Sequence, residues 1–491
     1  MAYKHGAYGE ITSSKVTDAK QTDAVAVYIG TAPINLIRGY AEKNLVNMPI
    51  KVANMSDTQS KLGYAKDWES FTLCEAFAAH FDNTVGNVGP IYVVNVLDPD
   101  VHKSEEKTTK ELTFRNKRAE FESSDIILDT FAIADKAEGV DYSLEYDFAK
   151  GTVVVKMIIE GEANTASCTY NTIDTSKVES TDIIGQTTED GQYTGLHTLK
   201  MLYQNHNAVL NMLAAPGWSH IPAVYKAMIG IVQKLNGHWD GFVNADIPLE
   251  DAEGKAIDTI AKAIAWKEAN GYTSEFSKVY WPKIMDRDGR VAHLSTAGQA
   301  TMLRVDMSND GVPFESPSNK EIMATRQYFG ADSKNNGFDQ QTANSLNEKG
   351  ITSACFWGGQ WVLWGPHTAA FSDENVDGMD ARAIFEVNIR MLMHITNSFQ
   401  LDHGVKIDKP MTPQDRDVIL NEERQKLDTL CGIGALIGSP SVSFLETENP
   451  TSNMMNGDFV WNFNVTNTPP FKSGNARVGY TDEGFAAFFG E

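Results

Sequence analysis

The sequence predicts a multidomain chain of mixed α/β and α+β class. A doubly wound α/β middle domain carries a β-rich insertion, and a C-terminal α+β domain is accompanied by extended N- and C-terminal arms. Three observations predict this. Apolar runs that end in Gly or Pro alternate with helical patterns on either side of a polar stretch, as buried strands and their crossover helices do. That stretch, about Asp98 to Gly191, is rich in Thr, Ser, Asp and Glu, and its apolar runs are strand-like. Beyond Gly457 apolar residues alternate with period two, and a second extended piece follows a Pro-Pro break.

The first predicted strand, 24–30, is continuously apolar and stops at Thr31-Ala32-Pro33, which suits burial on both faces. Residues 68–81 place Phe71, Cys74, Phe77 and Phe81 at helical spacing, and 90–97 is a second buried strand. Within the polar stretch, 126–128, 142–146 and 152–159 are strand-like runs of an inserted domain. Alternation resumes after Gly195 with strand 208–214, helix 221–235, strand 241–245, helix 257–266 and strand 278–281. A short helix covers 340–348, and 351–364 forms a hairpin turning at Gly358-Gly359. Two long helices follow at 380–399 and 414–437. Thr412-Pro413 supplies the second with an N-cap and a first-turn proline. Strands 441–445 and 459–465 complete a small α+β unit.

In the last of these strands Val460, Asn462 and Asn464 share one face, and Phe459, Trp461, Phe463 and Val465 the other. Pro469-Pro470 then forbids a continuing ladder. Residues 476–481 are extended with no evident partner in their own domain. The N-terminal stretch with Tyr3, His5, Tyr8 and Ile11 has the same character. Unpaired extended segments seek a sheet edge, so the two ends point to a subunit that polymerises by strand exchange.

Composition narrows the function. With 491 residues, 42 Lys+Arg against 65 Asp+Glu give a formal net charge of -23. A surface that acidic repels nucleic acid and anionic membrane. No apolar run reaches the ~20 residues that span a bilayer, and the N-terminus lacks a signal-peptide core. The four cysteines, Cys74, Cys168, Cys355 and Cys431, have no zinc spacing and read as reduced thiols. None of the His residues makes HExxH. Gly432 to Gly438 imitates a dinucleotide fingerprint, but its third glycine falls one position late and the motif ends a helix. Residues 332–343 imitate a calcium loop, with Lys334 and Ala343 where oxygen ligands belong. No catalytic residue, metal site or cofactor is expected. The rival reading is an α/β nucleotide-binding enzyme with a β insertion, and a third is a static shell protein.

Several motifs occur in a recognisable order. They are His5-Gly6-Ala7-Tyr8 with Glu10, residues 24–33, Ala215-Pro216-Gly217, 295–299 followed by Asp310-Gly311-Val312-Pro313, and Ser316 to Lys320. Then come Leu346 to Ile351, Val362-Leu363-Trp364-Gly365 with Thr368, Gly434-Ala435-Leu436, 446–449 and Gly457. In this order the chain resembles the sheath proteins of contractile phage tails and contractile bacteriocins. Ser318, Thr352 and His367 depart from the family's usual alanine, asparagine and arginine.

The resemblance implies a non-enzymatic subunit. It would stack in rings as a helical homo-oligomer around a tail tube and contract to drive the tube through a cell envelope. Baseplate and tail terminator proteins would be further partners, with no nucleic acid and no membrane anchoring. The particle would assemble in the bacterial host cytoplasm. The expected layout begins with an N-terminal arm (1–22). An α/β domain then runs in two segments (23–97 and 193–365), interrupted by an outward-facing β-rich insert (98–192). A sheath assembly domain (366–474) and a C-terminal arm (475–491) follow. Expected inter-subunit arm contacts are Tyr3, His5, Tyr8, Glu10, Val478, Tyr480 and Phe485. The helix from Gln414 is expected to face the tube with Arg416, Arg424 and Lys426 as exposed charges.

Overall fold

The computed structural model describes residues 24–158, 164–331 and 338–490. First come β1 (Ala26–Gly30), β2 (Pro49–Val52), α1 (Met55–Lys61), α2 (Leu73–Phe81) and β3 (Ile91–Asn95). The polar stretch contains β4 (Thr108–Thr113), β5 (Arg118–Glu122), β6 (Ala132–Ile133), β7 (Tyr142–Asp147), β8 (Thr152–Met157) and β9 (Thr165–Tyr170). Next are α3 (Ser180–Ile184), α4 (Leu202–His206), β10 (Met212–Ala214), α5 (Pro222–Val232), β11 (Phe242–Asp246), α6 (Ile260–Asn270) and β12 (Ser277–Tyr280). They lead to β13 (Lys283–Met285), β14 (Val291–Ala292), α7 (Leu294–Ser308), β15 (Arg326–Tyr328), α8 (Gln340–Asn347), β16 (Ile351–Trp357) and β17 (Gln360–Trp364). The remainder holds α9 (Glu386–His403), α10 (Pro413–Gly432), β18 (Ser441–Ser443), α11 (Thr451–Met455) and β19 (Asn462–Asn464).

One eight-stranded sheet organises the large domain, in the order β17-β16-β12-β11-β10-β1-β3-β2. The six inner strands are parallel, and β2 and β17 join antiparallel at the two edges. β1 lies between β3 and β10, so the strand order reverses there, as in a doubly wound sheet. β1, β3 and β11 are buried throughout, which explains why β1 and most of β3 are continuously apolar, while β11 carries the buried polar residues Asn244 and Asp246. The predicted hairpin turns at Gly358-Gly359, both at positive φ, with Trp357 opposite Gln360.

The polar stretch folds as two three-stranded antiparallel sheets, β4-β9-β6 and β5-β8-β7, around its own core. Alternation is visible in β5, where Ala119 and Phe121 point inward between exposed Arg118, Glu120 and Glu122. The expected strand at 126–128 is absent. Ile126 makes one isolated bridge to Thr172, and Leu128 begins a single 3-10 turn. The Asn35 amide donates to the Ile126 carbonyl at 2.9 Å, the acceptor that a ladder partner would need.

α7 has no counterpart in the apolar periodicity. Ser295, Thr296, Gln299, Thr301 and Asp306 are buried along it together with Leu294, Ala297, Met302 and Leu303. Gly298 is required there, because a Cβ would meet the Tyr280 ring at 2.5 Å. The Gln299 amide donates to the Val27 carbonyl (2.9 Å) and accepts from Asn244 (2.9 Å), so a side chain of the helix bonds two strands.

Two buried ion pairs fix α9 to this domain. Lys278 Nζ on β12 lies 2.9 Å from Glu386 and 2.6 Å from the Gly365 carbonyl, with both charged side chains fully buried. Burial pushes the Lys278 ammonium below its ordinary pKa, and Glu386 opposes that shift. One turn on, Arg390 pairs with buried Asp306 at the end of α7. Removing one member of such a pair strands the other charge. Glu386→Leu should therefore destabilise the chain by about 3–5 kcal/mol in urea unfolding, and Lys278→Met in the same chain should recover most of the loss. A single variant as stable as the parent would refute this coupling.

Candidate assembly surface

Both edges of the large sheet are closed. On β2, Pro49 has no N–H, its carbonyl lies 2.7 Å from His206 Nε2, and the Lys51 carbonyl accepts from Lys61 Nζ at 2.8 Å. Proline and edge-capping side chains of this kind block strand addition. β17 is covered by residues 319–322, through Asn319 N to Leu363 O (2.6 Å), Leu363 N to Lys320 O (2.9 Å) and Ile322 N to Trp361 O (3.0 Å).

The C-terminal sheet differs. β18 and β19 pair only with each other, Val442 opposite Phe463. The ladder continues from Thr466 and Thr468 to Ile437 and Ala435. Among the described residues no strand is bonded to the outer side of either. Its inner face is held by Met391 and Ile395 of α9 and Leu427 and Leu430 of α10. Phe399 packs on Trp461 and Phe463 at ring-centroid distances of 5.8 and 5.7 Å. This is a rigidly backed sheet with two free rows of backbone donors and acceptors, and its chemistry is strand addition.

The C-terminal arm leaves the sheet at Thr468-Pro469-Pro470. Lys472 lies over the Phe371 ring. Phe471, Val478 and Tyr480 are then 89%, 93% and 87% exposed. Residues 476–481 form no ladder, and Phe485, also exposed, begins an aromatic turn within Glu483–Phe488, where it stacks on Phe488. Val478 and Tyr480 thus lack apolar cover from their own chain, and Phe485 has Phe488 beside it. Tyr3, His5, Tyr8 and Glu10 lie outside the described residues.

α10 starts as the sequence indicates, with Thr412 and Asp415 forming a capping box and Pro413 in the first turn. Of the three charges expected to be exposed, one is exposed and two are half-buried and paired. Arg424 is exposed. Arg416 reaches Asp417 (2.7 Å) and lies over the Phe444 ring beside the C-terminal sheet. Lys426 is not a free surface charge, because it bonds Asp402 of α9 (2.6 Å) and Glu423. His403 of α9 meets the same Glu423 at 2.7 Å. Burial raises the Glu423 carboxyl, but the hydrogen bonds from His403 and Lys426 outweigh it and hold the group below the ordinary carboxylate range. His394 sits in this seam, pushed down to about 4 by burial and then by Arg390 and Lys426.

At the switch point, where doubly wound enzymes bind anions, a cleft of about 890 Å³ is lined by Glu75, Asp246, His220 and His293, and two carboxylates face the helix terminus there. Glu75 of α2 accepts from His293 N (2.9 Å), meets His293 Nδ1 (2.9 Å) and accepts from Thr296 Oγ1. Asp246, at the end of β11, accepts from Ser295 N (3.0 Å) and Ser295 Oγ. Two carboxylates therefore satisfy the α7 N-terminus that would otherwise attract a phosphate. The glycines at 432–438 end α10 and do not join a strand to a helix. Among the described residues no group of three His, Cys, Asp or Glu is placed to hold a metal, and no helix is long and apolar enough to cross a membrane.

No protein-family model matches the chain. It is similar to the tail sheath protein of Burkholderia phage BcepMu, with 27% identity over 472 residues, 91% of this chain and 90% of that protein. Its fold is similar to the PVC sheath complex of an extracellular contractile injection system in the contracted state, with TM-score 0.56, 12% identity and 99% of each chain covered. It is also similar to a chain of the anti-feeding prophage baseplate, with TM-score 0.55 and 14% identity over 98% of this chain and 100% of that one.

The α9–α10 seam sets a pH dependence. His394 binds its proton in the unfolded chain before it does in the folded one, so its contribution to stability is lost as pH falls from 6.5 towards 4. Glu423, depressed in the folded state, loses its contribution over the acid side as well. Replacing His394 by Gln should remove about one proton from the slope of stability against pH in that window. Urea titrations at stepped pH measure the slope, and an unchanged slope would remove His394 from the account.

Proposed function

We propose how this chain assembles, from the premise that it is a contractile tail sheath protein. It is a structural subunit of a virion or particle tail whose helical sheath contracts to drive an inner tube through a cell envelope. The arm from Phe471 to Phe489 leaves the body and adds a strand to the C-terminal sheet of a neighbouring copy. Main-chain hydrogen bonds supply the affinity, and Val478 and Tyr480 set the register. Residues 3–10 add to a neighbouring sheet in the same way. The observation that carries this reading is the contrast between edges: two are closed by side chains or a covering segment, and the C-terminal pair is open beside an uncovered apolar arm. Deleting residues from Asn475 onward should leave a soluble monomer by analytical ultracentrifugation. Full-length sheaths from that truncation would overturn strand exchange.

α10 faces the tube, with Arg416 and Arg424 as its contact charges. Exposed pairs contribute only ~0–1 kcal/mol each, which suits a contact that must hold and then release. Lys426 does not join that contact, since it ties α10 to α9. Baseplate and terminator proteins cap the two ends of the stack, and assembly takes place in the host cytoplasm. Reversing both charges, Arg416→Glu with Arg424→Glu, should give sheaths that assemble contracted or without a tube in electron micrographs. Normal extended particles would reject the tube assignment while leaving the sheath function intact. The enzyme reading is disfavoured because Glu75 and Asp246 occupy the helix terminus that an anionic ligand would use.

A further inference from the structure

An apolar cleft of about 360 Å³ lies on the side of α9 away from the C-terminal sheet. Phe276, Ile389, Leu392 and Met393 supply its apolar lining, and Lys234 and Arg382 stand at its rim with exposed side chains. Each rim cation is paired inward, Lys234 with Asp240 and Arg382 with Glu275 and Asp380. The aromatic turn of the arm carries a matching chemistry. Phe485, Phe488 and Phe489 are exposed on it, and the acidic pair Asp482-Glu483 precedes them with no basic residue between 478 and 490.

We infer that the aromatic turn of one copy seats in this cleft of a second copy, the same copy whose sheet receives the arm strand. The inference rests on the strand-exchange reading and goes beyond it, because main-chain pairing ends before residue 482 and leaves the three phenylalanines without a role. Reach favours a single receiving copy. Asn467, beyond β19, bonds the Asn388 carbonyl at 3.1 Å, one residue from Ile389 of the cleft, so sheet and cleft flank the start of the same helix. A helix is about 10–12 Å across with its side chains, and a six-residue 3-10 turn spans about 12 Å. An arm strand on the sheet therefore delivers its aromatic turn across α9 into the cleft. Rings fill the apolar floor, and the acidic pair stays at the solvent-exposed rim.

Disulfide trapping in assembled particles tests this. In a Cys431→Ser background, Phe488→Cys is combined with Thr396→Cys at the cleft. In separate chains Tyr480→Cys is combined with Ser441→Cys or with Asn464→Cys, one for each sheet edge. Mild oxidation should give ladders of cross-linked subunits from the Phe488 pair and from one Tyr480 pair, all collapsing to monomer on reduction. A ladder from a Tyr480 pair without one from the Phe488 pair would overturn the cleft assignment and leave strand exchange standing. No ladder from any pair would overturn both.

Discussion

The N-terminus of α7 ties the large domain together. Elements distant in sequence meet there. α2 brings Glu75, β11 brings Asp246, and both carboxylates bond the first turn of a helix that is buried on nearly every side. A buried helix end cannot leave its amides unsatisfied, and opposite partial charge makes carboxylates the natural partners. Further along, Gln299 bonds a strand carbonyl and a strand side-chain amide, and Asp306 at the far end takes Arg390. The helix is thus held by directional bonds along its whole length. Its register relative to the sheet is fixed more tightly than by apolar packing alone.

The polar bonds continue into α9 through Lys278 and Glu386. Large domain and sheet support therefore behave as one block, while the arm beyond Pro470 has almost no contact with it. α10 is held differently, by a few apolar side chains and a seam of charged groups in which Lys426, Glu423 and His403 share partners. A block tied together by buried ion pairs, with an exposed C-terminal arm beyond it, suits a subunit that must slide past its neighbours without losing its connection to them.

Much of this was legible in the sequence wherever one periodicity governs. β1 and most of β3 are continuously apolar because both faces are covered, and the Gly358-Gly359 turn and the Thr412-Pro413 start of α10 follow from local backbone preferences. The unpartnered arm was legible from its proline break. α7 was not, because its inward polar residues are satisfied by groups far away in the chain: 218 positions separate Glu75 from His293. The partner of Lys426 was hidden for the same reason, since Asp402 sits on the adjacent helix while the lysine side chain stays 37% exposed. Lys278 did offer a signal, since a lysine opening a buried apolar strand demands a carboxylate, but nothing local points to Glu386. The residues that close β2 were hidden too, as Lys61 and His206 look like ordinary surface side chains until the strand is placed between them.

The closed edge of β2 has a consequence for the product that many copies make. A subunit with the edges of its largest sheet open would join other copies at places unrelated to its arms, and such joints would set into a disordered gel. Capping the Pro49 and Lys51 carbonyls, and covering β17, removes both edges of the largest sheet from strand joining. The eight-stranded sheet then offers no competing joint of its own.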